Sequence, residues 1–150
     1  MIRFEKLLLL PTILMVLLLG ACSSSNVWDE IPTPITSFIE QYYPGSGVKS
    51  FSQTTDGYKV KINNGASLSF DEEYHWTFID GNGVRLPEVL VYNQLPPALF
   101  NYLQGIEQQG EVYAINRDKT YYKLTMHDTV ITYEIATGKI SYPDGKMIEA

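Results

Sequence analysis

Cysteine occurs once in these 150 residues, and histidine and tryptophan twice each. A single cysteine excludes any disulfide within the chain. His75 and His127 lack a second histidine at ligand spacing, whereas a zinc site wants three or four such ligands. No metal and no cofactor are expected. Gly45-Ser46-Gly47 does not have the spacing of a nucleophile elbow, and no glycine-rich phosphate loop is present. Basic residues are also scarce, 11 against 17 acidic ones, for a net charge of −6. That balance argues against nucleic acid or an anionic lipid surface as partner and suits a basic one. No apolar run reaches the roughly 20 residues needed to cross a bilayer as a helix. What the chain has in quantity is tyrosine, 11 residues of it, which can serve a core, a sheet face or a binding surface.

The first segment is laid out as a secretory signal. Arg3 and Lys6 precede an apolar run from Leu7 to Leu19, and Leu19-Gly20-Ala21-Cys22 closes it with small residues. This ending resembles the lipobox of bacterial lipoproteins. The resemblance implies cleavage before Cys22, diacylglycerol on its thiol and acylation of the new amine. Several acyl chains hold a bilayer far more firmly than one, at about 0.8 kcal/mol per buried methylene. The expected organisation is a signal peptide over 1–21, a lipidated tether over 22–30 and a single domain over 31–150. Ser23, rather than an aspartate, follows the cysteine, which in that class favours the outer membrane facing the periplasm. Surface display stays open as an alternative. Loss of Arg3, Glu5 and Lys6 with the signal makes the mature chain still more acidic.

The remaining sequence reads as two copies of one unit, about 31–80 and 95–142. Ile31-Pro32 aligns with Leu95-Pro96, and Ile35, Phe38 and Ile39 with Leu99, Tyr102 and Leu103. Tyr58-Lys59-Val60 aligns with Tyr122-Lys123-Leu124, and Leu68-Ser69-Phe70-Asp71 with Ile131-Thr132-Tyr133-Glu134. Each copy opens on a helix. Thr33-Pro34 suits an N-cap and first helical position, and Ile35, Phe38, Ile39 and Tyr42 form one apolar stripe. Pro44-Gly45 ends that helix, and Gly110 is expected to end its counterpart. Alternation of apolar and polar residues then predicts strands near 48–54, 57–63, 66–71 and 75–80, and again near 111–117, 120–127, 130–135 and 138–142. Asp56-Gly57 and Asn64-Gly65 read as hairpin turns. Residues 80–94 read as a connection. The expected fold is α+β, a continuous antiparallel sheet with both helices on one face.

An ordered set of motifs resembles the PepSY-like, beta-lactamase-inhibitor-like domains of bacterial secreted lipoproteins. The set comprises Trp28 before Ile31-Pro32, then Tyr43-Pro44-Gly45, Gly57-Tyr58-Lys59-Val60, an Asn-Gly turn, Phe70-Asp71, Trp76, Gly83 to Pro87, and Leu95-Pro96. It covers nearly all of residues 28–142. The resemblance implies a tandem fold like that of the beta-lactamase inhibitor protein. It does not imply inhibition of beta-lactamase, which belongs to particular loops, and it brings no catalytic residues. In related PepSY domains, inhibition of peptidases is the proposed role.

Two acidic segments have the residue types of a cation or acid–base site. Asp80-Gly81-Asn82-Gly83 begins like a calcium loop, but glycine comes fourth rather than sixth, so it reads as a turn leaving a strand. Asp71-Glu72-Glu73 reads as solvated charge at a strand end. Tyr58, Phe70, Trp76, Phe78, Tyr122 and Tyr133 fit buried strand positions, whereas Tyr43, Tyr74, Tyr92 and Tyr121 break that pattern. The candidate binding face is the wet face of the sheet, with Lys59, Lys61, His75 and Lys123 joined by Thr125 and Thr132, and with Tyr74 and Tyr92 on adjoining loops. The function expected is that of a lipid-anchored envelope binding module, inhibitor-like rather than enzymatic, for a protein, peptide or glycan. The alternative is a structural or accessory lipoprotein of an envelope complex.

Overall fold

The computed structural model describes residues 27–150, so the signal, Cys22 and most of the tether lie outside the described residues. The chain divides between Glu30 and Ile31 into two units. Helix α1 (Val27–Glu30) belongs to the first unit. The second unit begins with α2 (Thr33–Tyr42), followed by β1 (Val48–Thr54), β2 (Gly57–Ile62), β3 (Ser67–Asp71) and β4 (Trp76–Asp80). Two helices come next, α3 (Glu88–Gln94) and α4 (Pro97–Gly105). Strands β5 (Val112–Arg117), β6 (Tyr121–Met126), β7 (Val130–Glu134), β8 (Lys139–Ser141) and β9 (Met147–Glu149) complete the chain. The nine strands form one open sheet in sequence order, each antiparallel to the next. Eight of them match the alternation in the sequence. The ninth is an addition, created by the Pro143-Asp144-Gly145 turn, where the Asp144 carboxylate accepts the Lys146 N–H at 2.9 Å.

Lateral pairing sorts side chains into rows. Val60 lies opposite Leu68, Leu68 opposite Ile79, Ile79 opposite Ile115, Ile115 opposite Leu124, and Leu124 opposite Ile131. None of these six exceeds 1% exposure. Each such side chain contributes roughly 1.5–3 kcal/mol on burial, so this row is the spine of the core. One residue along, the pairing runs Lys59, Ser69, Phe78, Asn116, Lys123, Thr132 and Ser141, on the opposite face. The period of two thus separates an aliphatic face from a polar one.

Phe78 sits on the polar face, although its spacing from Trp76 predicts burial. Ser69 pairs with Phe78 but Phe70 pairs with Trp76, so Thr77 is an extra residue in β4. This bulge turns the strand, keeping Trp76 and Ile79 inside and sending Phe78 out. Gly57 serves a different close approach. A Cβ there would lie 2.0 Å from the Phe70 carbonyl oxygen, so no larger residue fits beside β3.

In α2, Ile35, Ile39 and Tyr42 are buried, while Phe38 meets Phe70 of β3 edge to face at 5.7 Å. The capping residue is Pro32 rather than Thr33, with no side-chain cap bond. Residues 80–94 are not wholly connection, because α3 buries Leu90 and Val91. Leu95 is extended before Pro96, which separates α3 from α4. Helix α4 buries Leu99 and Leu103 and ends at Gly105 rather than Gly110, which leaves Ile106 40% exposed.

Candidate functional site

The polar face carries three of the expected residues. Lys59 lies opposite Ser69, Lys61 opposite Ser67, and Lys123 between Asn116 and Thr132. All three lysines are exposed. Lys59 and Lys123 stand four strand spacings apart, roughly 19 Å at about 4.8 Å per strand. Along the row of Lys61, across β4 to β6, is a shallow cavity of about 330 Å³, lined by Phe78, Asp80, Tyr113, Ala114, Thr125 and His127 among others. Ala114 makes its floor, because a small residue lies between Asp80 and Thr125 in the pairing. A register shift between Val112 and Ala114 makes Tyr113 a bulge residue, and its ring lies 5.9 Å from that of His127. A hydrogen bond with the Tyr113 hydroxyl, followed by the nearby Glu111 carboxylate, further favours the charged Arg85 guanidinium. Arg85 and Glu111 are 2.8 Å apart.

His75 and Tyr74 lie elsewhere, in the turn joining β3 to β4. His75 precedes the strand instead of belonging to it, because the Asp71 carboxylate closes the turn. One of its oxygens accepts the N–H groups of Glu73 and His75, both at 2.9 Å. Tyr74 is held at φ 69°, an uncommon conformation for a bulky residue. The His75 ring is 3.4 Å from the second Asp71 oxygen and 3.7 Å from Glu73. Asp71, Glu73 and His75 therefore bring potential cation ligands within 4.8 Å of one another. They are the described residues best placed to hold a metal together, but exposed charge of this kind is ordinarily solvated. Beside the turn, Tyr74 lies 5.4 Å from Tyr58, and Tyr58 stacks on Phe51 at 5.8 Å. A hydrogen bond with Tyr74, then partial burial, pushes the Tyr58 hydroxyl pKa up.

Tyr92 is on α3, 65% exposed and edge-on to Phe100 of α4 at 5.1 Å. The six candidate binding residues thus fall into three places: lysines on the polar face, His75 and Tyr74 in one turn, and Tyr92 on a helix. Tyr43 is buried rather than exposed: it caps α2, its N–H donates to the Ile39 carbonyl, and it stands four residues after Ile39 on the buried side of the helix. Burial pushes its hydroxyl up to about 12. Asp80 accepts the Asn82 N–H at 2.8 Å, and Asn82 bonds Ser67 at 3.0 Å, which makes the segment after β4 a tied turn. Sequence reasoning missed the chain in which Trp76 donates to Gln94 and Gln94 donates to Tyr42, each at 2.7 Å. It also missed Arg117, whose guanidinium lies 3.6 Å over the Trp76 ring and donates to the Trp76 carbonyl. These partners are far apart in sequence, and only the strand pairing brings them together.

Among the described residues no serine, histidine and carboxylate are brought together as a catalytic triad. Comparison with solved structures finds this architecture in a periplasmic protein of Bacteroides thetaiotaomicron proposed to be calcium-regulated. That match has 23% identity and a TM-score of 0.61, over 75% of this chain and 88% of the other. A periplasmic DUF2874 protein of Bacteroides vulgatus matches at 22% identity and a TM-score of 0.63, over 83% and 91% of the two chains. Another periplasmic protein of unknown function from Bacteroides vulgatus matches at 19% and 0.60, over 73% and 89%. At these identities the likeness is one of fold. No curated protein matches the sequence. The family model described as beta-lactamase-inhibitor-like and PepSY-like matches residues 24–77 and 56–140, more than half the chain. The motif order, the antiparallel sheet and this match agree: the chain belongs to the PepSY-like family.

Proposed function

We propose that this protein is a lipid-anchored binding module of the cell envelope that acts by recognition rather than catalysis, in an inhibitor-like manner. The observation that carries the reading is the division of one sheet into a fully buried aliphatic row and an exposed row bearing Lys59 and Lys123. In this reading the segments 31–80 and 95–142 are two copies of a unit, and their helices cover the aliphatic face alone. The contact of Phe38 with Phe70 and the bond from Trp76 to Gln94 support that arrangement. The opposite face is then free, rigid and preorganised, which lowers the entropic cost of association. The description of the structural neighbours as periplasmic supports an envelope location. Lipid on Cys22 supplies the anchor, and Ser23 directs it to the outer membrane.

The test is charge reversal on the polar face. Lys59→Glu, Lys61→Glu and Lys123→Glu combined should weaken crosslinking of the native partner in intact envelopes. The melting temperature should change little, because all three side chains are exposed. Full crosslinking by the triple variant would move recognition off this face. A large interface to another envelope protein, unaffected by the change, would instead favour an accessory role.

A further inference from the structure

The sheet has two open edges, and they differ. Strand β9 is three residues long and lies between Lys146 and the chain end, with Glu149 within it. Short, charged edges of this kind resist pairing with other chains. Strand β1 is seven residues long and pairs only with β2. Lys49 and the register shift between Val48 and Ser50 guard its beginning. From Ser50 to Thr54 it carries no charge and no proline, so about 17 Å of backbone remains open to pairing.

The same corner has a side-chain surface of definite character. Phe51 of β1 stacks on Tyr58, and Tyr58 meets Tyr74, so an aromatic strip runs inward from the open edge. Beside it a depression of about 400 Å³ is lined by Asp56, Asp71, Glu72, Glu73 and Lys119. Four carboxylates thus face one ammonium group. Backbone pairing along an edge is indifferent to sequence, so the neighbouring side chains choose the partner. Here carboxylates and tyrosine faces both favour cations, the rings through cation–π attraction.

We propose that the Ser50–Thr54 edge binds an extended, basic peptide segment by strand addition, with its Arg or Lys side chains received by the tyrosine strip and the four carboxylates. Lys59 and Lys61 lie opposite Ser52 and Ser50 but on the other face of the sheet from Phe51 and Tyr58, so the two sites adjoin and are told apart by the sign of the charge each needs. The probe is an alternating Val–Arg hexapeptide titrated into the full chain, with an alternating Val–Glu hexapeptide as the opposite charge. Amide hydrogen exchange should slow at Ser50–Thr54 with the Val–Arg peptide and stay unchanged with Val–Glu. Combined Glu72→Lys and Glu73→Lys, both at exposed positions, should weaken the Val–Arg peptide at least about tenfold with little change in melting temperature. The triple lysine variant, with carboxylates now opposite Ser50 and Ser52, should bind it at least as tightly as the native chain. Equal binding of both peptides, protection confined to other strands, or a peptide-free dimer that itself protects β1 would each overturn the proposal.

Discussion

Tyr43 shows how a single residue escapes its sequence pattern. It breaks the strand alternation, but it stands four residues after Ile39 and eight after Ile35, on the buried stripe of α2. Its role as the α2 cap folds it back against the core, and burial holds its hydroxyl neutral up to about 12. An ordinary tyrosine ionises near 10 in the unfolded chain. Between those values the unfolded chain has lost a proton that the native chain keeps. Stability from this residue is therefore complete below pH 10 and falls as pH rises toward 12. Melting curves across that window should show a decline, and Tyr43→Phe should make it shallower. Phe78 gives a second residue-scale lesson. Its identity and alternation both indicate burial, but one extra residue in β4 reverses its side, and no local signal marks where a bulge will fall.

At the scale of elements, the helix stripes connect spacing to stability. Leu103 is fully buried in α4, so Leu103→Ala should cost about 2–5 kcal/mol, measured by denaturant unfolding. Phe38 is only half-buried, and Phe38→Ala should cost less despite its larger ring. An unchanged midpoint for Leu103→Ala would mean that α4 does not pack as described. Strands were the most legible elements, since period-two alternation survives in nearly all of them. Helix ends were less so: Gly105 stops α4 five residues before the expected Gly110, because both glycines offer the same signal. Helix α3 was hidden by its length. Its Leu90 and Val91 are adjacent, too few to display a period over seven residues. The candidate site was legible as a lysine face because Lys59, Lys61 and Lys123 alternate with core residues. Joining His75, Tyr74 and Tyr92 to that face failed because turns and helices do not inherit the alternation of strands.

For the whole molecule, the question is how an acidic domain is presented. If Cys22 carries lipid, Cys22→Ser should leave the precursor uncut and exclude labelled palmitate. Palmitate entering that variant would remove the anchor from the proposal, whereas the sheet and its two faces would stand. The unequal edges bear on the same scale. A short, charged β9 and a long, open β1 make association directional, so contact with another strand is concentrated at one side of the sheet.

The order of the strands has a consequence for how the chain reaches this state. Each strand pairs with its immediate predecessor, from the first to the ninth. Seven of these eight pairings join strands linked by a turn, and only β4 to β5 must be closed across α3 and α4. Nearest-neighbour pairing keeps loop-closure entropy low, which favours rapid folding among sheet proteins. No early strand has to wait for a late one to find its place. A chain delivered from its first residue onward can thus build its sheet in the order it emerges, with the buried row growing by one aliphatic side chain as each of the six strands from β2 to β7 arrives, and unpaired edges exposed only briefly.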